Sequence, residues 1–345
     1  MSDKKKMGFF QKTKNMTDTN LLLAITMIVF FAMYIGAMIF EGKGFLKAQT
    51  FLNMLNANAA LIIASCGMSI VMITGSIDIS VGGVAALVSM CCAGYLGYHG
   101  GNVVTAIFIS LGIGLLFGLV QGYLVAYLDI QPFIVSLAGM FFARGMTTIV
   151  NTEPFNVQNE AFVKLKETRV IVPGLGSVNK LGKYVNAYVE IGVVVALILV
   201  IVLFCMLRWS KSGRNFYAVG GNQQSALMLG INVKKTKFMA HLLCSLLAGI
   251  GGFVYFMHVG SGSASHATGM EMNAIASSII GGTMLTGGVG NIIGTLFGVL
   301  SLSTIQNIVS SAGLDQAWWT GITIAAMLCL FLVIQSVVMS RKKKA

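Results

Sequence analysis

The sequence predicts an all-α polytopic membrane protein: about ten transmembrane segments in two inverted five-helix halves, with two segments short or discontinuous. Three observations carry that reading. Of 345 residues, 56% are hydrophobic and 10% charged, whereas a soluble domain carries about 25% charged residues. Apolar runs near the roughly 20 residues that span a bilayer recur at 21–40, 51–73, 84–98, 103–128, 133–150, 190–207, 238–259, 272–286, 288–311 and 317–338. The net charge of +12 gathers beside these runs, at Lys4, Lys5, Lys6, Lys12 and Lys14, at Arg208, Lys211, Arg214, Lys234, Lys235 and Lys237, and at 341–344. That is the positive-inside pattern, and it lacks the interleaved cations and aromatics of a nucleic-acid face.

With the basic N-terminus (1–20) inside, ten crossings return the basic tail (339–345) to the same side. The first half then covers 21–150 and the second 190–338, whose segment 208–237 also lies inside. The first run lacks a small-x-small cleavage site and reads as a retained span. The stretch 151–189 falls outside. Its Lys164, Lys166, Arg169, Lys180 and Lys183 weaken the charge rule locally, although Glu153, Glu160, Glu167 and Glu190 nearly balance them. A long segment translocates with little regard to charge, and a short helix is expected near 159–168.

Segments 84–98 and 272–286 are only about 15 residues each and rich in small residues. Each follows an acid in a glycine context, Asp78 within 75–83 and Glu271 within 269–273. Short, glycine-interrupted segments at matching places in two halves point to discontinuous helices at a transport site. A second echo links the halves, Gly114-Leu-Leu-Phe-Gly118 in the fourth run and Gly294-Thr-Leu-Phe-Gly298 in the ninth. Such small-x-x-x-small motifs let helices approach closely.

The chemistry absent is as informative. No phosphate-binding loop, dinucleotide fingerprint or nucleophile–base order is present. The six cysteines lie in apolar runs without metal-ligand spacing, so neither metal nor catalytic residue is expected. Charges at membrane depth are costly, which singles out Asp78, Asp129, Arg144, Glu271 and Asp315. Asp129, ahead of Pro132, and Asp315 read as residues of connections. Asp78 and Glu271 either cap interrupted helices or line the pathway or its gate together with Asn273. Arg144 either snorkels to the interface or lines the same pathway. Trp318 and Trp319 form an interfacial belt or a platform for a sugar ring. In the basic segment, 225–229 favours a short helix, with Asn222 as its cap and Gly230 as its stop. It is either a connector on the membrane or a helix that seats in a partner.

Several stretches together resemble the membrane subunits of ATP-binding-cassette monosaccharide importers of the ribose and galactose class. They are G-S-I-D-I-S-V-G at 75–82, Y-A-V-G-G-N-x-x-S-A-x-x-x-G-I-N-V at 217–233, M-E-M-N-A-I-A-S-x-I-I-G-G-T at 270–283 and T-G-G-V-G at 286–290. The resemblance covers about 20–338. The runs 136–145 and 318–320 are more similar to the galactofuranose-type branch, and fructose permeases look much the same. Ser76 departs from the family, which usually has a glycine there. The resemblance implies a sugar permease in a bacterial cytoplasmic membrane, with both termini cytoplasmic. It has no cofactor of its own. An external sugar-binding protein delivers substrate, a second permease (paralogue or self) completes the pathway, and a cytoplasmic ATPase uses ATP. Coupling to that ATPase falls to Gly220, Asn222, Ala226, Leu229, Gly230 and Ile231. Two rivals stand beside it: an amino-acid permease of the same transporter class, specific for branched-chain substrates, and an ion-coupled secondary transporter.

Overall fold

The computed structural model describes residues 18–41, 45–178, 184–314 and 316–344. The first half holds α1 (Asp18–Glu41), α2 (Ala48–Ile73), α3 (Val81–Tyr98), α4 (Val103–Ala126) and α5 (Pro132–Val150). The connection carries β1 (Phe155–Asn156), α6 (Glu160–Glu167) and the antiparallel hairpin β2 (Arg169–Val178) with β3 (Tyr184–Glu190). The chain continues through α7 (Ile191–Trp209), α8 (Lys211–Gly221), α9 (Gln223–Met228) and α10 (Val233–Val259). β4 (Ser261–Gly262) pairs antiparallel with β1 ahead of α11 (Met270–Ile280), α12 (Ile292–Ser311) and α13 (Ala317–Lys344). The basic cluster at 4–14, Lys180, Lys183 and Asp315 lie outside the described residues.

Among the described residues, nine helices are long and apolar enough to cross a membrane. The segment expected at 272–286 is not one of them. Its helix, α11, has 11 residues, about 16 Å at 1.5 Å per residue, against a hydrocarbon core of about 30 Å. The backbone leaves the helix at Gly281, and Gly282 takes φ +89°, so the apolar Met284 and Leu285 extend the run but not the helix. A helix that ends inside an apolar bundle must find partners for its last carbonyls. Thr26 Oγ1 donates to Ile280 O at 2.8 Å and Gln335 Nε2 to Ile279 O at 2.6 Å.

The other short segment, 84–98, starts earlier and spans 18 residues as α3, about 27 Å long. It begins deep in the bundle, since Gly83 lies against Met140 and Ala143, about two turns into α5. Residues 74–80 therefore climb back from the end of α2 without helix. Residues 260–269 do the same from the opposite end of the bundle, leaving α10 at Gly260, whose left-handed φ of +78° closes that helix. The N-terminal ends of α3 and α11 meet where Gly82 abuts the backbone and carboxylate of Glu271.

The halves interlock. From the second half, α10 packs on α3, α4 and α2, whereas α1 and α2 of the first half pack on α12, and α2 also on α11. Glycines permit the tightest crossings. A side chain at Gly118 would meet Leu242 Cα at 2.9 Å, and one at Gly114 would meet Ser245 O at 2.7 Å, both on α10. Gly294 and Gly298 of α12 lie directly on Gly281, just past the end of α11, and on Ser277 of α11. The two echoed motifs thus press against different neighbours. At its start α10 extends past the apolar run, because Asn232 caps it by accepting from Lys235 N at 2.8 Å.

Candidate translocation site and coupling surface

Asp78 sits in the non-helical climb before α3 and has no exposed surface. Its Oδ1 accepts from Ser80 N at 3.0 Å and Ser80 Oγ at 2.6 Å, a local side-chain turn that sets up the helix start. Gln121 of α4 joins by donating from Nε2 to Ser80 Oγ at 2.9 Å, in space left by Gly139. His241 and Cys244 of α10 stand beside the carboxylate. Asp78 Oδ2 and both ring nitrogens of His241 are buried without a hydrogen-bond partner. The end of α2 needs a left-handed residue, and Gly75 supplies it at φ +79°, with Ser76 N on Val71 O at 3.2 Å; Ser76 has no positive φ. The departure at Ser76 therefore costs the backbone nothing.

Glu271 lies in the first turn of α11 with its carboxylate against Gly82. Its nearest charge is Arg144 of α5, at 3.8 Å; the two side chains are 12% and 22% exposed. Arg144 has better partners. Its Nη1 donates to His266 O and its Nη2 to Ala267 O at 2.7 Å. Ala267 is in the left-handed region at φ +51°, a conformation costing an L residue about 1–2 kcal/mol. The guanidinium holds that turn in place, with His266 anchored again by Ser89 Oγ at 3.2 Å. Arg144 reaches inward and does not snorkel.

At the opposite face, α8 and α9 form the segment between α7 and α10. Asn222 caps α9 by accepting from Ser225 N at 2.9 Å. Gly230 stops it at φ +76°, with Gly230 N on Leu227 O at 2.9 Å and Ile231 N on Ala226 O at 3.0 Å. That bond pair is a Schellman closure. Between cap and stop, Leu227, Met228 and Leu229 are 65%, 87% and 79% exposed, while Ala226 is buried. Gly220 faces the bundle, directly against Ile73 O and near Gly288 N. Gly288 N in turn donates to Ile73 O at 2.8 Å, and Gly287 packs on Gly75. Tyr217 adds a bond to Gly290 O at 2.8 Å, and burial pushes its hydroxyl up to about 12, so it stays a donor. Backbone contacts thus join α8 to the climb that carries Asp78.

A family model described as "Branched-chain amino acid transport system / permease component" matches residues 50–332. The chain belongs to this permease family. Curated relatives place it among ABC sugar permeases. It is 35% identical over 320 residues, 93% of each chain, to the inner membrane ABC transporter permease protein YjfF of Escherichia coli (strain K12). It is 34% identical over 284 residues to the fructose import permease protein FruG of Bifidobacterium longum (strain NCC 2705), covering 82% of this chain and 81% of the relative. The ribose import permease protein RbsC of Escherichia coli (strain K12) is 32% identical over 273 residues, with 79% and 81% covered. No solved structure matches. The family description speaks of amino acids, whereas two of these relatives are named for fructose and ribose.

The permease brings Asp78, Glu271 and Arg144 to the facing N-terminal ends of α3 and α11, whereas Asn273, two residues beyond Glu271, lies about 200° round α11. Trp318 and Trp319 stand instead at the start of α13, ring centroids 4.8 Å apart and Trp318 56% exposed. Of the six positions assigned to coupling, Leu229 faces outward, while Gly220 and Ala226 are turned into the protein. Sequence reasoning missed Leu227 and Met228, which carry the exposed surface, and Gln121 and His241, which surround Asp78. Asp129 proves to be a turn residue with φ +54°. His266 lies in the inward turn held by Arg144.

Proposed function

We propose that this permease imports a monosaccharide (galactofuranose, fructose or a related pentose or hexose) and draws its energy from a separate cytoplasmic ATPase. The reading has both termini and α8–α9 at the cytoplasmic side of the inner membrane. A sugar-binding protein works at the other side, and a second permease, self or paralogue, completes the path. The chain itself has no ATPase chemistry and no cofactor in this reading.

One observation carries it. The exposed triplet Leu227, Met228 and Leu229 sits on a helix capped and stopped within a few residues, which is the form of an anchor for a partner's groove. Its motion reaches the interior through backbone, because Gly220 of α8 rests on Ile73 and Gly288. A displacement of α9 then bears on 74–80, and hence on the meeting point of α3 and α11. The gate in this mechanism is the Glu271–Arg144–Ala267 contact, which holds the second non-helical turn.

The test is reconstitution in vesicles with a partner ATPase and binding protein, measuring ATP-dependent sugar uptake. The expected result is uptake only with all components, and loss of ATPase association in L227A/M228A/L229A. Uptake that persists without any ATPase sinks the reading in favour of an ion-coupled transporter. Titrating candidate sugars and branched-chain amino acids against the binding protein decides the substrate class.

A further inference from the structure

A cavity of about 390 Å³ opens between α1, α7, α8 and the start of α12, lined in part by Asn20, Phe204, Arg208, Arg214, Tyr217 and Asn291. Among the described residues, the ion pairs are Arg144–Glu271 and His258–Glu190, so neither lining arginine has a carboxylate partner there. Arg214 Nη1 donates to Trp209 O at 3.2 Å, leaving most of its five donors free. Asn291 caps α12 by accepting from Ile293 N at 2.9 Å, so the positive end of a 20-residue helix opens onto the same space.

The depth of the cavity is marked by Trp209, 66% exposed beside Arg208. An indole at the end of an apolar helix sits at the lipid–water interface. Along α7, Ile198, Ile201, Phe204 and Arg208 follow helical spacing and share one face. Ile198 and Ile201 are 55% and 61% exposed, so an apolar track leads from the exterior of the bundle to the two guanidinium groups. A soluble anion or a partner's acidic surface would use the charges but not the track.

We propose that this cavity holds the phosphate head group of an anionic phospholipid, with an acyl chain along Ile198, Ile201 and Phe204. Arg208 and Arg214 bind the phosphate oxygens, and the α12 N-terminus adds its dipole. The lipid bridges α1, α7, α8 and α12, and so braces the base on which α9 is mounted.

Native mass spectrometry of the full chain in detergent, titrated with phosphatidylglycerol or phosphatidylcholine, tests this. Wild type is expected to prefer phosphatidylglycerol, and R208Q or R214Q each to weaken it about five-fold. K211Q removes a neighbouring α8 charge outside the cavity and is expected to bind as wild type does. R214Q replaces an exposed side chain and guards against a misfolded R208Q, with the melting temperature checked for both. Equal retention of the two lipids, or an equal loss in K211Q, overturns the proposal. A thermal shift with inorganic phosphate that matches phosphatidylglycerol makes it a plain anion site. Displacement of the lipid by an added ATPase makes it part of the partner's seat. The assay uses neither sugar nor ATP, so its outcome is separate from that of the transport reading.

Discussion

Asp78 and Glu271 stand at matching places in the two halves, each where a non-helical segment turns into a helix that begins inside the bundle, and they are used differently. Asp78 is sealed: one oxygen is committed to Ser80 and its surroundings are a hydroxyl, an amide, a thiol and an imidazole. Glu271 is largely buried, its side chain 12% exposed and Oε2 without a hydrogen-bond partner, with only a long ion pair to an arginine that spends its hydrogen bonds elsewhere. An acid at a helix start can therefore be a fixed pin or a contact free to be made and broken. Only the second kind suits a gate.

The largest expected effect comes from breaking the pin. D78A strips Ser80 N and Oγ of their acceptor, and so loosens the hydroxyl to which Gln121 donates, in a fully buried site; it should cost about 3 kcal/mol, read as a fall in melting temperature of the detergent-purified protein. D78N keeps the Oδ1 acceptor and should recover most of that loss; an equal loss would mean the charge itself is needed. Next comes R144M, which frees two carbonyls of the inward turn and leaves Ala267 strained. About 2 kcal/mol is expected, with faster amide exchange at 266–268. E271Q sharpens the contrast, since the pair is long at 3.8 Å and Glu271 Oε2 is buried without a hydrogen bond, so desolvation offsets most of the Coulomb gain. Its melting temperature should barely move while uptake falls, and D78A and E271Q melting alike would collapse the comparison. Smallest in stability is L227A/M228A/L229A, within about 0.5 kcal/mol, although ATPase affinity should drop about tenfold or more.

The spans were legible because bilayer thickness forces apolar runs of a set length, and α2, α4, α5, α7 and α12 end within a few residues of theirs. The cap and stop of α9 were legible for a local reason: Asn222 and Gly230 are residue types with few other uses at those spacings. The eighth segment was not, because hydropathy registers Met284 and Leu285 but not the turn at Gly281 and Gly282. The hairpin 169–190 escaped too, its pairing being set by contacts between distant residues. Orientation defeated the rest. Gly220 and Ala226 lie in the right segment, but only three dimensions show that one touches Ile73 and the other is covered. His241 lies in an apolar run, and only the packing of α10 puts it beside Asp78. At the other end, α13 runs on through the basic 341–344, since Arg and Lys are good helix formers and a change of polarity need not end a helix.

The exchange of helices between halves bears on how such a chain can be inserted and divided. Cleaved within 151–190, the polypeptide would yield two pieces that each lack a central neighbour: α10 is missing from the first, α1 and α2 from the second. Neither piece should survive membrane quality control when expressed alone, yet the two made together should reassemble. The later helices to leave the ribosome therefore complete the environment of the earliest ones, and the permease should become resistant to proteolysis only late in its own synthesis.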